Sequence, residues 1–234
     1  MRPSRRSFLD TTWRAGAGVA ASGLLPAAAF AQETPPNFVI LFADDLGIND
    51  LGCFGRKDQR TPNLDKLAAQ GMRFTDAHTA AAVCTPTRYG VLTGRYPSRI
   101  GQFGVLTTFS KPIIPASRAT VASLLKAQGY ATACIGKWHL GMNWHLQPGT
   151  TVNPLGIESS NQVHNALLDL PAQNGPTTLG FDSFFGISAS LDMPPYVWLR
   201  DDRVTAPPDR KVGDSAAPRL WRALTGEGMD PGPV

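Results

Sequence analysis

The sequence predicts an α/β protein in which a layered sheet is flanked by helices. Three observations carry that expectation. A continuous apolar run, Asn37 to Asp45 (NFVILFADD), ends in two acids. Helical segments with clear start and stop residues alternate with further short apolar runs as far as Gly141. No internal repeat interrupts that alternation. Strand, helix, strand, helix, strand is the order that builds one sheet covered by helices.

Each element has a local reason. Asn37–Asp45 reads as a buried strand, because unbroken apolar runs of this length suit a strand covered on both faces. Its carboxyl end would deliver Asp44 and Asp45 to a crevice. TPNLDKLAAQG follows: Thr61 is a good N-cap, Pro62 suits the first helical position and Gly71 ends the helix. Met72 to Thr79 (MRFTDAHT) is a plausible second strand. TPTRYGVLTG predicts a helix from about Pro86 to a stop at Gly94. ATVASLLKAQGYATACIG predicts a helix to Gln128 with Gly129 as its cap, then a strand from Tyr130 to Ile135. Beyond Gly141 the segments LQPGTTVNPLG, AQNGPTT and APPDRK read as loops punctuated by Gly and Pro.

Composition sets the class. The chain has 234 residues, 42% hydrophobic and 17% charged, an ordinary globular balance. The net charge of +4 is concentrated in the leader, where Arg2, Arg5, Arg6 and Arg14 oppose Asp10 alone. The remainder is close to neutral and has no basic cluster interleaved with aromatics, which argues against a nucleic-acid partner. Residues 1–31 read as a twin-arginine signal peptide. SRRSFLD carries Arg5-Arg6, an apolar Ala- and Gly-rich stretch runs from Thr11 to Phe30, and AFA at Ala29–Ala31 offers a cleavage site. A membrane anchor is the alternative, opposed by Gly16, Gly18, Gly23 and Pro26 within that stretch. The expected partner is the twin-arginine translocase and the expected location periplasmic or secreted. No stable membrane span is expected after cleavage, because no later run reaches the ~20 apolar residues a spanning helix needs. Three cysteines leave an odd one out. Cys53 and Cys134 lie in apolar surroundings, where free buried thiols are common, so no disulfide is expected.

In open α/β sheets the reactive crevice lies at the carboxyl ends of the strands. Three predicted strand ends carry chemistry there: Asp44-Asp45, the approach to Cys84, and GKWHLG with Lys137 and His139. Each has a plainer reading alone. Adjacent acids cap helices, a Lys-x-His is a solvated loop, and a cysteine at a helix start is structural. Together, two acids, a cation, an imidazole and a thiol make a metal-plus-nucleophile set. A thiol redox protein is disfavoured, since Cys84 has no Cys-x-x-Cys partner.

These residues resemble the sulfatase family. The family's first signature, Cys-x-Pro-x-Arg followed by Thr-Gly-Arg, stands here as Cys84-Thr85-Pro86-Thr87-Arg88 and Thr93-Gly94-Arg95. The second, Gly-Tyr-x-Thr-x-x-x-Gly-Lys-Trp-His-Leu-Gly, runs from Gly129 to Gly141. GFDSFFGISASLD (Gly180–Asp192) is similar to a further family segment, and the likeness spans roughly residues 36 to 205. The resemblance implies a sheet of the alkaline-phosphatase/sulfatase type and a sulfuric ester hydrolase of arylsulfatase-like activity. It implies that Cys84 is oxidised by a formylglycine-generating enzyme to an aldehyde. One hydroxyl of the hydrated aldehyde attacks sulfur and expels the alcohol. Loss of a proton from the other then breaks the carbon–oxygen bond and releases sulfate.

The same resemblance assigns roles. Asp44, Asp45 and the modified Cys84 would bind a divalent cation, Ca²⁺ by its preference for oxygen. Arg88 and Lys137 would hold the diol and the sulfate, His139 would move the proton, and Ser190 would touch the sulfate ester substrate. The family completes its metal site with a later Asp-Asn pair, and adds a later His and Lys; no Asp-Asn dipeptide occurs in this chain. Residues 32–234 are therefore expected to be the N-terminal part of a sulfatase catalytic domain, truncated before the later strands and exposing a sheet edge. A phosphonate monoester or phosphodiester hydrolase of the same superfamily and an inactive remnant are the alternatives.

Overall fold

The computed structural model describes residues 35–152, 160–191, 193–208, 211–212 and 228–229. Residues 1–31, read from the sequence as a twin-arginine signal peptide, lie outside them. By compactness the chain divides at Ala43, with Asp44–Val234 as the larger unit.

Three helices follow the expected punctuation. Helix α1 spans Pro62–Gln70, with proline in its first turn and Gly71 as C-cap. Thr61 holds the N-cap position but does not cap with its side chain. Its Oγ1 accepts from the Gly52 amide at 2.8 Å and donates to Asp65 at 3.0 Å, pinning the preceding loop onto the helix. Helix α2 spans Cys84–Thr93 and starts two residues before Pro86, so Cys84 lies in its first turn. Gly94 ends it with φ 64°, a left-handed conformation that glycine adopts without strain. Helix α3 spans Val121–Ala127 and is opened by a reciprocal capping pair between Thr120 and Ser123. Farther along lies the short helix α4, Ser160–Asn165.

The four-stranded sheet has the order β1-β2-β3-β4, from β1 (Ala133–Lys137), β2 (Ser183–Ile187), β3 (Leu199–Arg200) and β4 (Arg203–Val204). β1 and β2 run parallel with Ala133 opposite Ser183 and Lys137 opposite Ile187; the other two pairings are antiparallel. A separate two-residue ladder joins β5 (Lys211–Val212) to β6 (Gly228–Met229). The backbones of β1 and β2 meet at two glycines, Gly136 and Gly186, and a Cβ on Gly186 would fall on the Gly136 carbonyl oxygen. The hydrophobic core gathers Tyr89 of α2, Trp138, Leu140 and Met142 after β1, Phe184 of β2 and Leu199 of β3. Trp138 and Phe184 meet edge to face at 6.5 Å.

Three strand expectations are corrected. Asn37–Asp45 forms no strand; its apolar side chains are exposed, Val39 to 79% and Leu41 to 77%. Met72–Thr79 also forms no strand, with Met72 79% exposed. Both have strand-like composition, but a strand exists only with a partner at ladder distance, and composition does not supply one. The strand expected at Tyr130–Ile135 forms two to three residues later, because Tyr130 returns its amide to the Leu125 carbonyl at the end of α3. The shift makes Lys137 the last residue of β1. GFDSFFGISASLD, matched by resemblance alone, supplies β2.

Candidate active site

Cys84 stands at the start of α2, preceded by Val83 in an extended conformation. The turn is held by its neighbour. Thr85 is fully buried; its Oγ1 donates to the His139 carbonyl at 2.9 Å and accepts from the Leu106 amide at 3.0 Å. One hydroxyl thus ties the helix start to the segment after β1 and to the loop at Leu106. The sequence reading placed Thr85 only in the signature; its structural role is visible once these three segments meet.

Around Cys84 the charges converge. Lys137, at the carboxyl end of β1, places Nζ 2.7 Å from Asp44 Oδ2 and 3.1 Å from Cys84 Sγ. The Cys84 thiol also faces Asp44 Oδ1 at 3.5 Å. Arg88, one turn along α2 from Cys84, approaches Asp44 Oδ2 at 3.4 Å and donates to the Lys137 carbonyl. Arg88 and Lys137 are mostly buried, whereas Asp44 is open to solvent on one side. Partial burial is the largest influence on the Asp44 carboxyl and pushes its pKa up. The Lys137 hydrogen bond and charge, with the Arg88 charge, outweigh it and hold the group below its ordinary 3.8.

Asp44 and Asp45 come from a bend instead of a strand end. Asp45 has φ 55°, a left-handed conformation that aspartate tolerates. Candidate ligand atoms of Asp44, Asp45 and Cys84 all lie within 4.8 Å of one another. These three are the predicted metal-ligating residues, and together they form a possible site for a divalent metal of the kind that the sulfatase family implies.

His139 and Ser190 are placed differently. His139 is 1% exposed, adopts φ 57° and has Nε2 at 2.6 Å from the Leu106 carbonyl. That contact assigns the ring proton to Nε2. Ser190 follows β2 at the same end of the sheet as Lys137, half-buried, and its carbonyl accepts from the Met193 amide at 3.0 Å. Cys53, Cys84 and Cys134 are free thiols. Burial pushes the Cys134 thiol up to about 11, against a smaller opposing effect of Arg88. Among the described residues no helix is long and apolar enough to cross a membrane.

A thiol-bearing helix start, two cations and two carboxylates thus gather at the carboxyl edge of a parallel strand pair in an α/β protein. The chain belongs to the sulfatase family, whose profile matches residues 36–216. It is 38% identical over 188 residues to an N-acetylgalactosamine-6-O-sulfatase of Bacteroides thetaiotaomicron, covering 76% of this chain and 33% of that protein. It is 52% identical over 117 residues to human arylsulfatase A, covering 50% of this chain and 23% of that one. A solved structure from a study of glycosaminoglycan metabolism by Bacteroides thetaiotaomicron superposes with TM-score 0.58 at 37% identity, covering 74% of this chain and 34% of the other. The fold is therefore the sulfatase, alkaline-phosphatase-like one, and the chain spans about a third or less of the length of these relatives.

Proposed function

We propose that the chain carries the nucleophile-bearing part of a sulfuric ester hydrolase of arylsulfatase type, with Cys84 as the site of formylglycine formation. The observation that carries this reading is the placement of Lys137 Nζ between Asp44 Oδ2 and Cys84 Sγ, at 2.7 and 3.1 Å. That ammonium lies where an anionic ester group would meet the residue-84 nucleophile. The formylglycine hydrate would supply a nucleophilic oxygen and a second hydroxyl through which sulfate is released.

The donor chemistry supports the modification. Two carboxylates suit a hard divalent cation, and Ca²⁺, which takes 6–8 oxygens, is the ion proposed. A thiol is a soft ligand that such an ion does not favour, whereas an oxidised residue 84 would offer oxygen. Asp44, Asp45 and residue 84 would hold the ion, which would neutralise charge building on the sulfate oxygens. Lys137 would orient the sulfate group. Arg88 keeps Lys137 in place through the Lys137 carbonyl and adds a fixed positive charge beside Asp44. His139, whose Nε2 donates to the Leu106 carbonyl, would hold or accept the proton released as sulfate leaves. Ser190 would be a weaker contact to the substrate. Export by the twin-arginine translocase to the periplasm or beyond is part of the same proposal, resting on Arg5-Arg6.

The test is co-expression with a formylglycine-generating enzyme and peptide mass spectrometry. Conversion of Cys84 to an aldehyde that reacts with hydrazides, with Cys53 and Cys134 left as thiols, is expected. An unmodified Cys84 under those conditions overturns the assignment.

A further inference from the structure

On the reading of residue 84 as the nucleophile and His139 as its proton partner, we propose that Thr85 is a positioning residue. Its hydroxyl is the shared corner of a closed ring of hydrogen bonds that fixes His139 relative to residue 84. The ring joins segments far apart in sequence. Thr85 Oγ1 donates to the His139 carbonyl at 2.9 Å and accepts from the Leu106 amide at 3.0 Å. The Leu106 carbonyl faces His139 Nε2 at 2.6 Å, and this contact closes the ring. The corners are out of solvent: Thr85 is 0% exposed and His139 1%.

A closed ring does more than separate contacts would. Each corner is held from two sides, so moving one distorts the other two. A threonine hydroxyl has one proton and can accept as well, and Thr85 spends both functions here. Thr85 is covalently next to Cys84, so what fixes Thr85 also fixes the backbone that carries the nucleophile. His139 adopts φ 57°, a left-handed conformation uncommon outside glycine. Such backbone persists where its surroundings over-determine it. The His139 amide donates to the Ser188 carbonyl at 3.0 Å, its carbonyl is held by Thr85 and its ring by Leu106. Of these anchors, Thr85 is the one joined directly to residue 84. A proton partner has to stay within hydrogen-bond reach of the group it serves, and the ring sets that separation.

Thr87 is the contrast within the same signature. It is also buried, but its Oγ1 donates to the Ala81 carbonyl at 2.6 Å, six residues back, and closes a local turn. Loss of either hydroxyl would lower stability. Loss of the Thr85 hydroxyl would also release His139 from the start of α2, because valine keeps the shape but leaves the Leu106 amide and the His139 carbonyl without this partner.

The experiment is solvent exchange of protons followed by NMR on the full, unmodified chain. In Thr85→Val the His139 ring proton is expected to exchange at least about tenfold faster than in the unsubstituted protein. Thr85→Ser, which restores the hydroxyl, and Thr87→Val, which removes the other one, are expected to stay within about threefold. The Phe184 amide, bonded to the Asp201 carboxylate at 2.9 Å, reports opening of the core and is expected to lag far behind His139 in Thr85→Val. Unchanged His139 exchange in Thr85→Val overturns the proposal. So does equal acceleration of Phe184, which is the mark of a merely structural role, or the same acceleration in Thr85→Ser or Thr87→Val. The unsubstituted chain carries a test that needs no variant to fold: a resolved Thr85 hydroxyl proton with a nuclear Overhauser contact to the Leu106 amide is expected, and its absence also overturns the proposal. No arm requires formylglycine at residue 84, so failure here is separable from failure of Cys84 to convert.

Discussion

Lys137 and Asp44 are 93 residues apart in sequence and meet at 2.7 Å. This contact binds the end of β1 to the bend that presents the acids, and it is the largest of the influences that lower the Asp44 pKa. A carboxyl held below its ordinary pKa adds stability that is fully present above 3.8 and is lost as pH falls through the lowered folded value. Lys137→Met removes the hydrogen bond and the nearer charge, leaving Arg88. The Asp44 titration, followed by carboxyl NMR, is expected to move upward, while Lys137→Arg largely preserves it. An unchanged Asp44 midpoint in Lys137→Met would show that the pair does not govern it.

Asp182 makes a second acid-sensitive joint. Its carboxylate pairs with Lys126 at 2.7 Å and accepts from the Thr132 amide at 2.8 Å and the Thr132 hydroxyl at 3.0 Å. The Lys126 hydrogen bond first, then the Thr132 contacts, lower it to about 2. Its contribution is present above 3.8 and declines as pH falls toward 2. Asp182→Asn is expected to flatten the pH dependence of the urea midpoint in that window. Equal slopes in the two proteins would refute the assignment.

Gly186 has no room for a side chain, since a Cβ would meet the Gly136 backbone across the strand pair. Backbone yields less readily than a side-chain tip, so Gly186→Ala is expected to cost about 3 kcal/mol or more, the upper range for overpacking. The denaturant midpoint measures it. Gly149→Ala is the comparison: it has open space around its Cβ position, and its φ of 77° leaves only backbone strain. It should lose much less.

Cys134 should resist alkylation. With its thiol at about 11 instead of the ordinary 9.0, its thiolate fraction at pH 8 is lower by about a hundredfold. Iodoacetamide mapping by mass spectrometry is expected to show that lag, closing as pH rises toward 11. The stability from keeping this thiol protonated is present below 9.0 and lost as pH rises through about 11. Labelling of Cys134 at the rate of an ordinary thiol at pH 8 would contradict its burial.

What the sequence determined by itself was local or written in short motifs. Pro62 and Gly71 bounded α1 and Gly94 stopped α2, because caps and left-handed glycines act within one turn of chain. Cys84, Arg88 and Lys137 stood out because their spacing matched two specific signatures, and Asp44-Asp45 because they end an apolar run. Only the tertiary structure decided the rest. Asn37–Asp45 and Met72–Thr79 have the composition of strands and form none, while Ser183–Ile187, read only as a family-like segment, pairs in parallel with β1. A ladder needs a partner distant in sequence, and the Gly136–Gly186 contact that sets this one is invisible to any local window. The same reason separates the site residues. That Lys137 and Arg88 share one Asp44 oxygen and that Thr85 ties Cys84 to His139 are consequences of distant segments packing together.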